Sequence, residues 1–405
     1  MGVGHPDFWE AICQGKSGIA PITLFDTSAA RNPYGGQVWD FDPKPFVKQR
    51  KSLKLMSRDI RFAVAATEMA LSDAKLDTTT LDPERFGVDF GAHTMHTELE
   101  EMAPAYQRCI VDGKFDFSRW GEHYLKASYP LWMLKYLPNM PACQVAIIHD
   151  ARGPNNSVVQ NEAGSLLAIS EAVRVIERGH ADVMVAGGTG SRLPPKYWVS
   201  LSVFDRLSKH TGDPAESMRP FDLRRSGQVH GEGAAAFILE SRAHAEARGA
   251  RPLVRIHGTG SACEAARPNT PLSGRGLQAA MDRALHDAGI APLEVGHVNA
   301  NGLSTPDDDR AEAAAIHQLL GAEVPVTAPK SYFGNLGAGT GAVELAASVL
   351  ALQHDLVPPT RNYGQPDPEC PINVIHGEPL HGAAPTALVV NQTSFGQAVA
   401  IVLGK

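Results

Sequence analysis

Residues Gly153-Pro154-Asn155-Asn156-Ser157-Val158-Val159-Gln160-Asn161-Glu162-Ala163-Gly164-Ser165, followed by the amphipathic run Leu166 to Gly179, constrain this chain more than any other stretch. Val158 and Val159 read as the end of a buried strand. Ala163 and Gly164 are small, and Leu166, Ile169, Val173 and Ile176 recur at helical spacing. The pattern is a strand, a sharp turn and a helix. Such an elbow carries the residue at its apex, here Glu162, to the head of a helix where backbone N–H groups point outward. An acyl-transfer enzyme would place its nucleophile there. A carboxylate also suits the place for electrostatic reasons alone, because the helix dipole favours negative charge in the first turn. Taken alone, the stretch is satisfied by ordinary helix electrostatics.

The chain has 405 residues, 43% of them hydrophobic, which is enough for a large core and two or more structural units. A formal net charge of -7 and a pI near 6.1 argue against nucleic-acid binding over the whole surface. Cys13, Cys109, Cys143, Cys263 and Cys370 are odd in number, scattered and without CxxC spacing, so neither a disulfide framework nor a zinc site is expected. The sequence holds no run of eighteen apolar residues, and its start has no basic-then-apolar signal region. The expectation is a cytoplasmic protein without metal, cofactor, nucleic-acid partner or membrane span.

Along the chain, Asp7 to Gly15 reads as a helix, and a second helix starts near Ser57 with Ile60, Val64 and Leu71 on one face. Between them, Lys44, Lys48, Arg50, Lys51, Lys54, Arg58 and Arg61 form a basic concentration that suits either a solvated face or a docking patch for an acidic partner. Arg85 to Phe90 reads as a strand. Residues 94–142 carry Trp120, Tyr124, Tyr129, Trp132 and Tyr136, which suit core or subunit-interface packing before ligand contact. Beyond the elbow, a strand Asp182 to Ala186 capped by Gly187-Gly188, a polar loop Phe204 to His230 and a strand Gly231 to Glu240 complete one half. The second half repeats the theme, with strands at Leu253–Gly258, Val295–Ala300, Val324–Ala328, Ile372–Ile375, Thr386–Asn391 and Val399–Leu403, and helices at Gly276–Gly289, Asp309–Leu320 and Gly337–His354. Strands alternating with helices in two similar halves predict an α/β fold with buried sheets.

Several ordered motifs carry a resemblance. Phe8-Trp9-Glu10, Ser17-Gly18-Ile19, Gly153-Pro154-Asn155, Gly187-Gly188, Arg219-Pro220-Phe221-Asp222 and Gly231-Glu232-Gly233 are followed by Val298-Asn-Ala-Asn-Gly-Leu-Ser-Thr-Pro306. Asp309 and Glu312 come next, then Lys330-Ser-Tyr-Phe-Gly-Asn335 and Ser394-Phe395-Gly396. Together they resemble the β-ketoacyl-acyl-carrier-protein synthases, the condensing enzymes of the thiolase fold, over nearly the whole chain. The resemblance implies two related βαβαβ-type halves stacked as α-β-α-β-α layers, spanning 1–250 and 251–405, with an insertion at about 94–142. It also implies a first strand before the Phe8 helix, which this sequence lacks.

At the positions where the family has its nucleophilic Cys and two His, this chain carries Glu162, Asn301 and Asn335. A glutamate cannot hold a stable thioester, and an asparagine donates a hydrogen bond but shuttles no proton near neutral pH. Loss of one oxyanion donor alone costs about 10²–10³ in rate. Condensation by this acyltransferase-family chain on its own is therefore not expected. The resemblance also implies an active-site Lys330 with Glu312 as its charged pair, and Ser304, Thr305 and Asp309 as a supporting loop. An oxyanion loop follows at Phe395, Gly396 and Gln397; after Ser394 the family has Gly-Phe-Gly-Gly, with the Phe gating acyl entry, where this chain has Gly396-Gln397-Ala398-Val399. A buried Glu162 needs a partner, and the expected ones are Lys330, or helix N–H groups together with the two asparagines.

Three readings follow. The first is a chain-length-factor-like homologue in fatty acid or polyketide biosynthesis, paired as a heterodimer with an active synthase, or otherwise a homodimer, and served by acyl carrier protein. The second is an acyl-thioester decarboxylase, hydrolase or acyltransferase using Glu162 as acid or base. The third is an ordinary synthase whose nucleophile is Cys143, against the commoner fate of a free cysteine as a buried small hydrophobe. His210, His230 and His297 fall on no motif position and read as surface or satisfied groups.

Overall fold

A computed structural model of the chain describes every residue except 29, 31, 94–96, 205 and 266–269. Two mixed sheets organise it. The first contains β1 (Phe86–Ala92), β2 (Asn155–Val159), β3 (Val183–Ser191) and β4 (Glu232–Glu240) in the order β2-β1-β3-β4, with β4 antiparallel to its neighbour. The second contains β5 (Arg255–Cys263), β6 (His297–Asn299), β7 (Pro325–Thr327), β8 (Asn373–Val374), β9 (Thr386–Gln392) and β10 (Gln397–Gly404) in the order β8-β7-β6-β9-β10-β5. In both, a parallel group continues into antiparallel pairing, one such pair in the first sheet and two in the second, the repeat expected from the sequence.

The layers follow from which helix faces are apolar. Helices α1 (Arg58–Asp73) and α2 (Met140–His149) put Ile60, Val64, Leu71, Ala142 and Val145 on the outer face of the first sheet. Helices α3 (Gly164–Glu177) and α6 (Thr340–His354) lie between the sheets, where Leu166, Ile169, Leu345 and Val349 meet Met184 and Ala186 on one side and Val389, Val399 and Ile401 on the other. Helices α4 (Arg275–Ala288) and α5 (Pro306–Leu320) cover the outer face of the second sheet through Leu277, Met281, Ala313 and Ile316. The result is the layered α-β-α-β-α arrangement of the thiolase-like ketosynthase fold.

Several boundaries differ from the sequence expectation for physical reasons. β3 does not stop at Ala186 but runs through Gly187 and Gly188 to Ser191. Those glycines mark close approach and not a cap: a Cβ on Gly188 would lie 2.4 Å from Ser165 Cβ and 2.5 Å from the Ala338 carbonyl. β2, expected to be buried, is an edge strand with Val159 exposed. β5 extends five residues beyond Gly258, because its small residues let α4 pack directly on the backbone. Helices Pro195–Phe204 and Met140–His149 were not expected. The segment after residue 96 forms helices Leu99–Arg108 and Trp120–Ala127 around a short hairpin, with Tyr106, Phe115, Trp120, Tyr124 and Trp132 in one aromatic cluster.

His297, on β6, is 1% exposed, and its Nε2 lies 3.4 Å from Ser348 Oγ on α6. Burial lowers its pKa from 6.5 to about 4. The folded state therefore keeps a neutral ring at a pH where the unfolded chain is already protonated. The stability tied to that neutral ring is intact above the unfolded pKa and is lost as pH falls towards the folded one, at about 1.4 kcal/mol per pH unit. His297→Gln, which keeps a donor for Ser348, is expected to remove this slope. Between about pH 6.5 and 5 the parent should lose about 2 kcal/mol more than the variant, read from urea unfolding curves.

Candidate active site

The parallel strands of both sheets deliver their C-terminal ends to one place, where the heads of α3 and α6 meet. The elbow after β2 tightens into a 3₁₀ turn, Asn161–Ala163, with Asn161 in the left-handed region at φ 41°. That conformation turns Glu162 inward, where it is only 7% exposed. A matching turn, Gly337–Gly339, leads into α6 and places Asn335 opposite it.

Glu162 is held by an ion pair that sequence reasoning missed. Arg192, the residue after β3, donates from Nη1 to Glu162 Oε1 at 3.0 Å, with both side chains buried. Asn335 Nδ2 donates to the same oxygen at 2.9 Å and to Gln228 Oε1 at 2.6 Å. The Asn335 amide is oriented by its other end, since Oδ1 accepts from Gly337 N at 2.9 Å and Thr340 Oγ1 at 3.3 Å. Its backbone is fixed too: Asn335 N donates to Val229 O at 2.7 Å and Gly231 N donates to Asn335 O at 2.8 Å. His230, set aside by the sequence reading, thus borders the site as a backbone bridge to Asn335.

Lys330 is not the partner of Glu162. Its Nζ donates to Glu344 Oε1 at 2.8 Å and to Asn301 Oδ1 at 2.9 Å, with both charged side chains at 0% exposure. Asn391 Nδ2 donates to the second Glu344 oxygen at 2.7 Å. Burial pushes the Glu344 carboxyl up to about 7, against the pull of Lys330 and Asn391. Nor is Glu312 the charged pair of Lys330. It accepts from the backbone N–H groups of Asn301 and Gly302 at 2.6 and 2.8 Å, and burial raises its pKa to about 8. Asn301 therefore belongs to the Lys330 network and Asn335 to the Glu162 network, so of the two asparagines expected at Glu162 only Asn335 meets it, and Arg192 supplies the other donor.

The loop from Ser304 to Asp309 is tied down by its own hydrogen bonds. Thr305 precedes α5 and bonds through its hydroxyl to Asp308. Asp309, fully buried with its carboxyl raised to about 7 by burial, accepts from Phe221 N at 2.8 Å and lies 3.6 Å from Arg225. Ser304 Oγ accepts from Arg219 N at 2.9 Å. These bonds tie the Arg219–Asp222 motif to the head of α5. In the third loop Phe395 is 69% exposed, and Gly396 has φ 88°, a conformation only glycine adopts readily. Gln397 Nε2 donates to the carbonyls of Ala262 and Ala398 at 3.3 Å, so its side chain is engaged along the sheet. Cys143 lies on α2 and packs against the cluster on the outer face of the first sheet, on the opposite side from Glu162. It is not an active-site nucleophile.

Arg192, Gln228, Glu344 and Asn391 were missed. Arg192 had a signal: a lone cation straight after the small-residue run that ends β3, where an unpaired charge is costly. Chemically, the arrangement holds a carboxylate and two carboxamides in fixed hydrogen bonds. Among the described residues, Glu162, Asn301 and Asn335 bring neither thiol nor imidazole, while the buried His93 ring borders the turn into α6, where a Cβ on Gly337 would lie 3.3 Å from its Nδ1. Among the described residues no group of three or more His, Cys, Asp or Glu is placed to hold a metal ion, and no helix is long and apolar enough to cross a membrane.

Five layers with a buried polar site at the head of the central helices define a thiolase-like condensing-enzyme fold. The chain belongs to the β-ketoacyl synthase family: the profile of the β-ketoacyl synthase N-terminal domain matches residues 1–245 and that of the C-terminal domain residues 253–364. It is 35% identical to 3-oxoacyl-[acyl-carrier-protein] synthase 2 of Synechocystis sp., over 92% of this chain and 87% of the relative. It is also 35% identical to the actinorhodin polyketide putative beta-ketoacyl synthase 2 of Streptomyces coelicolor, over 99% of this chain and 95% of the relative. The structure of the ishigamide ketosynthase/chain length factor superposes with a TM-score of 0.86 at 26% identity, covering 100% of this chain and 96% of that one. A type II polyketide acyl-carrier protein in complex with its ketosynthase matches with a TM-score of 0.83 at 29% identity, covering 100% and 96%.

Breaking a buried ion pair from one side costs more than removing both charges. Arg192→Met is expected to destabilise the fold by about 3–5 kcal/mol, whereas Arg192→Met combined with Glu162→Gln should recover most of that loss. Chemical denaturation of the two variants and the parent checks this.

Proposed function

We propose that this chain is a non-condensing member of its family, a chain-length-factor-like partner of an active β-ketoacyl synthase in fatty acid or polyketide biosynthesis. The observation that carries the reading is the Glu162–Arg192 pair, reinforced by Asn335: the seat of an acyl-accepting thiol is filled by a neutralised carboxylate. The same pair weighs against Glu162 as a working acid or base, because both donors converge on one of its oxygens and hold it. In this reading Asn301, Asn335 and Lys330 keep the family's positions as structure, not chemistry.

The surface fits a partner role. β2 offers an open sheet edge, a ready template for pairing with another chain. The neighbouring 94–142 segment presents Ile110, Phe117 and Leu125 to solvent, more apolar surface than an isolated protomer needs. Lys44, Arg50, Lys51 and Lys54 lie on two 3₁₀ turns ahead of α1 and Lys48 between them, all exposed and suited to steering an acidic carrier protein in the cytoplasm. The ishigamide and carrier-protein complexes supply precedents for both kinds of assembly.

The test is reconstitution. The purified chain with acyl- and malonyl-loaded carrier protein is expected to form no carbon–carbon bond. Mixed with a cysteine-bearing synthase from its own gene neighbourhood, it should give a stable heterodimer by size-exclusion chromatography and a product of defined length. Phe117→Ala or Leu125→Ala should then alter that length or weaken the complex. A chain that stays a homodimer beside every such synthase, or that condenses alone, overturns the reading.

A further inference from the structure

We infer that the seat at the head of α3 is a binding site for a small aliphatic carboxylate, filled in this chain by its own Glu162 side chain. The inference goes beyond the partner role and does not depend on it.

The donors of this seat are fixed by bonds that do not involve Glu162. Asn335 presents Nδ2 because its Oδ1 is taken by Gly337 N and Thr340 Oγ1 at the start of α6. Its main chain is pinned on both sides to the strand-like segment Val229–Gly231. Gln228 Oε1 accepts from Asn335 Nδ2 at 2.6 Å and from Arg192 Nη1 at 3.5 Å, drawing both donors towards one point. Arg192 is anchored through its backbone N–H to Gly231 O at 3.0 Å, and its stem runs beside Gly337, where a Cβ would sit 3.5 Å from Arg192 Cγ. Arg192 is 4% exposed and Asn335 is at 0%. A guanidinium and a carboxamide N–H, both dry and both oriented before the ligand arrives, are what recognises a carboxylate. Glu162 then behaves as a tethered ligand: beyond its Cα it is a propionate unit, delivered by the elbow.

If the cradle exists without its tethered occupant, emptying it should create a site for the free acid. Glu162→Gly removes the propionate unit, and the probe is sodium propionate against sodium chloride at equal ionic strength. Propionate at about a hundred times its dissociation constant is expected to raise the Tm of this variant by about 2–4 °C. Acetate and formate should do less because they leave part of the space empty, and butyrate less because it is too long. The parent should not respond, since the tethered carboxylate outcompetes the free one, and neither should Glu162→Gly combined with Arg192→Met. Should Glu162→Gly not fold in chloride, refolding yield with and without propionate is the same comparison, and recovery by propionate alone supports the site. Equal responses of parent and variant, a response that survives Arg192→Met, or no difference from chloride in either readout overturns it. Failure of the chain to bind a synthase would leave these outcomes untouched, so the two readings fail separately.

Discussion

The two sheets share a single layer of helices, and this sharing governs everything at the site. Because α3 and α6 are covered on both sides, their heads and the strand ends around them meet in a dry interior. Any polar group there must find its partner within the protein, since burying an unpaired charge costs several kcal/mol. The chain meets this demand with two separate networks. One joins Glu162, Arg192, Asn335 and Gln228, and the other joins Lys330, Glu344, Asn301 and Asn391.

The separation has a chemical meaning. In a condensing enzyme the nucleophile and both proton-handling groups must converge on one thioester. Here Glu162 and Asn335 fall in one set of hydrogen bonds and Asn301 in another. This division is what the proposed partner role rests on.

Around that interior the supporting motifs are kept intact. Asp309 holds the Phe221 backbone in a left-handed conformation, φ 62°, which a bulky residue adopts only when its surroundings enforce it. Glu312 occupies the two N–H groups after β6, and Glu232 binds Arg58 at 2.7 Å and Ser191 at 2.7 Å, locking α1 to the ends of β3 and β4. These contacts are structural bonds between layers, a role the motifs hold apart from any chemistry at the site.

Much of this was legible in the residues. Alternating strand and helix patterns, repeated in two halves, determined the layered α/β fold, because burial on both faces demands continuous apolar strands and striped helices. The elbow placed Glu162 at a helix head, and of the two motif asparagines Asn335 meets it while Asn301 meets Lys330. Local patterns could not reveal which charges would meet. Glu162 and Arg192 are thirty residues apart, Lys330 and Glu344 fourteen, and each cation had more than one carboxylate within plausible reach. The choice was made by the crossing of β3 over the head of α3 and by the rotation of α6. The sequence alone thus determined that a carboxylate stands at the elbow; only the tertiary structure decided that an arginine neutralises it, because pairing in a dry interior depends on distances that exist only once the layers have closed.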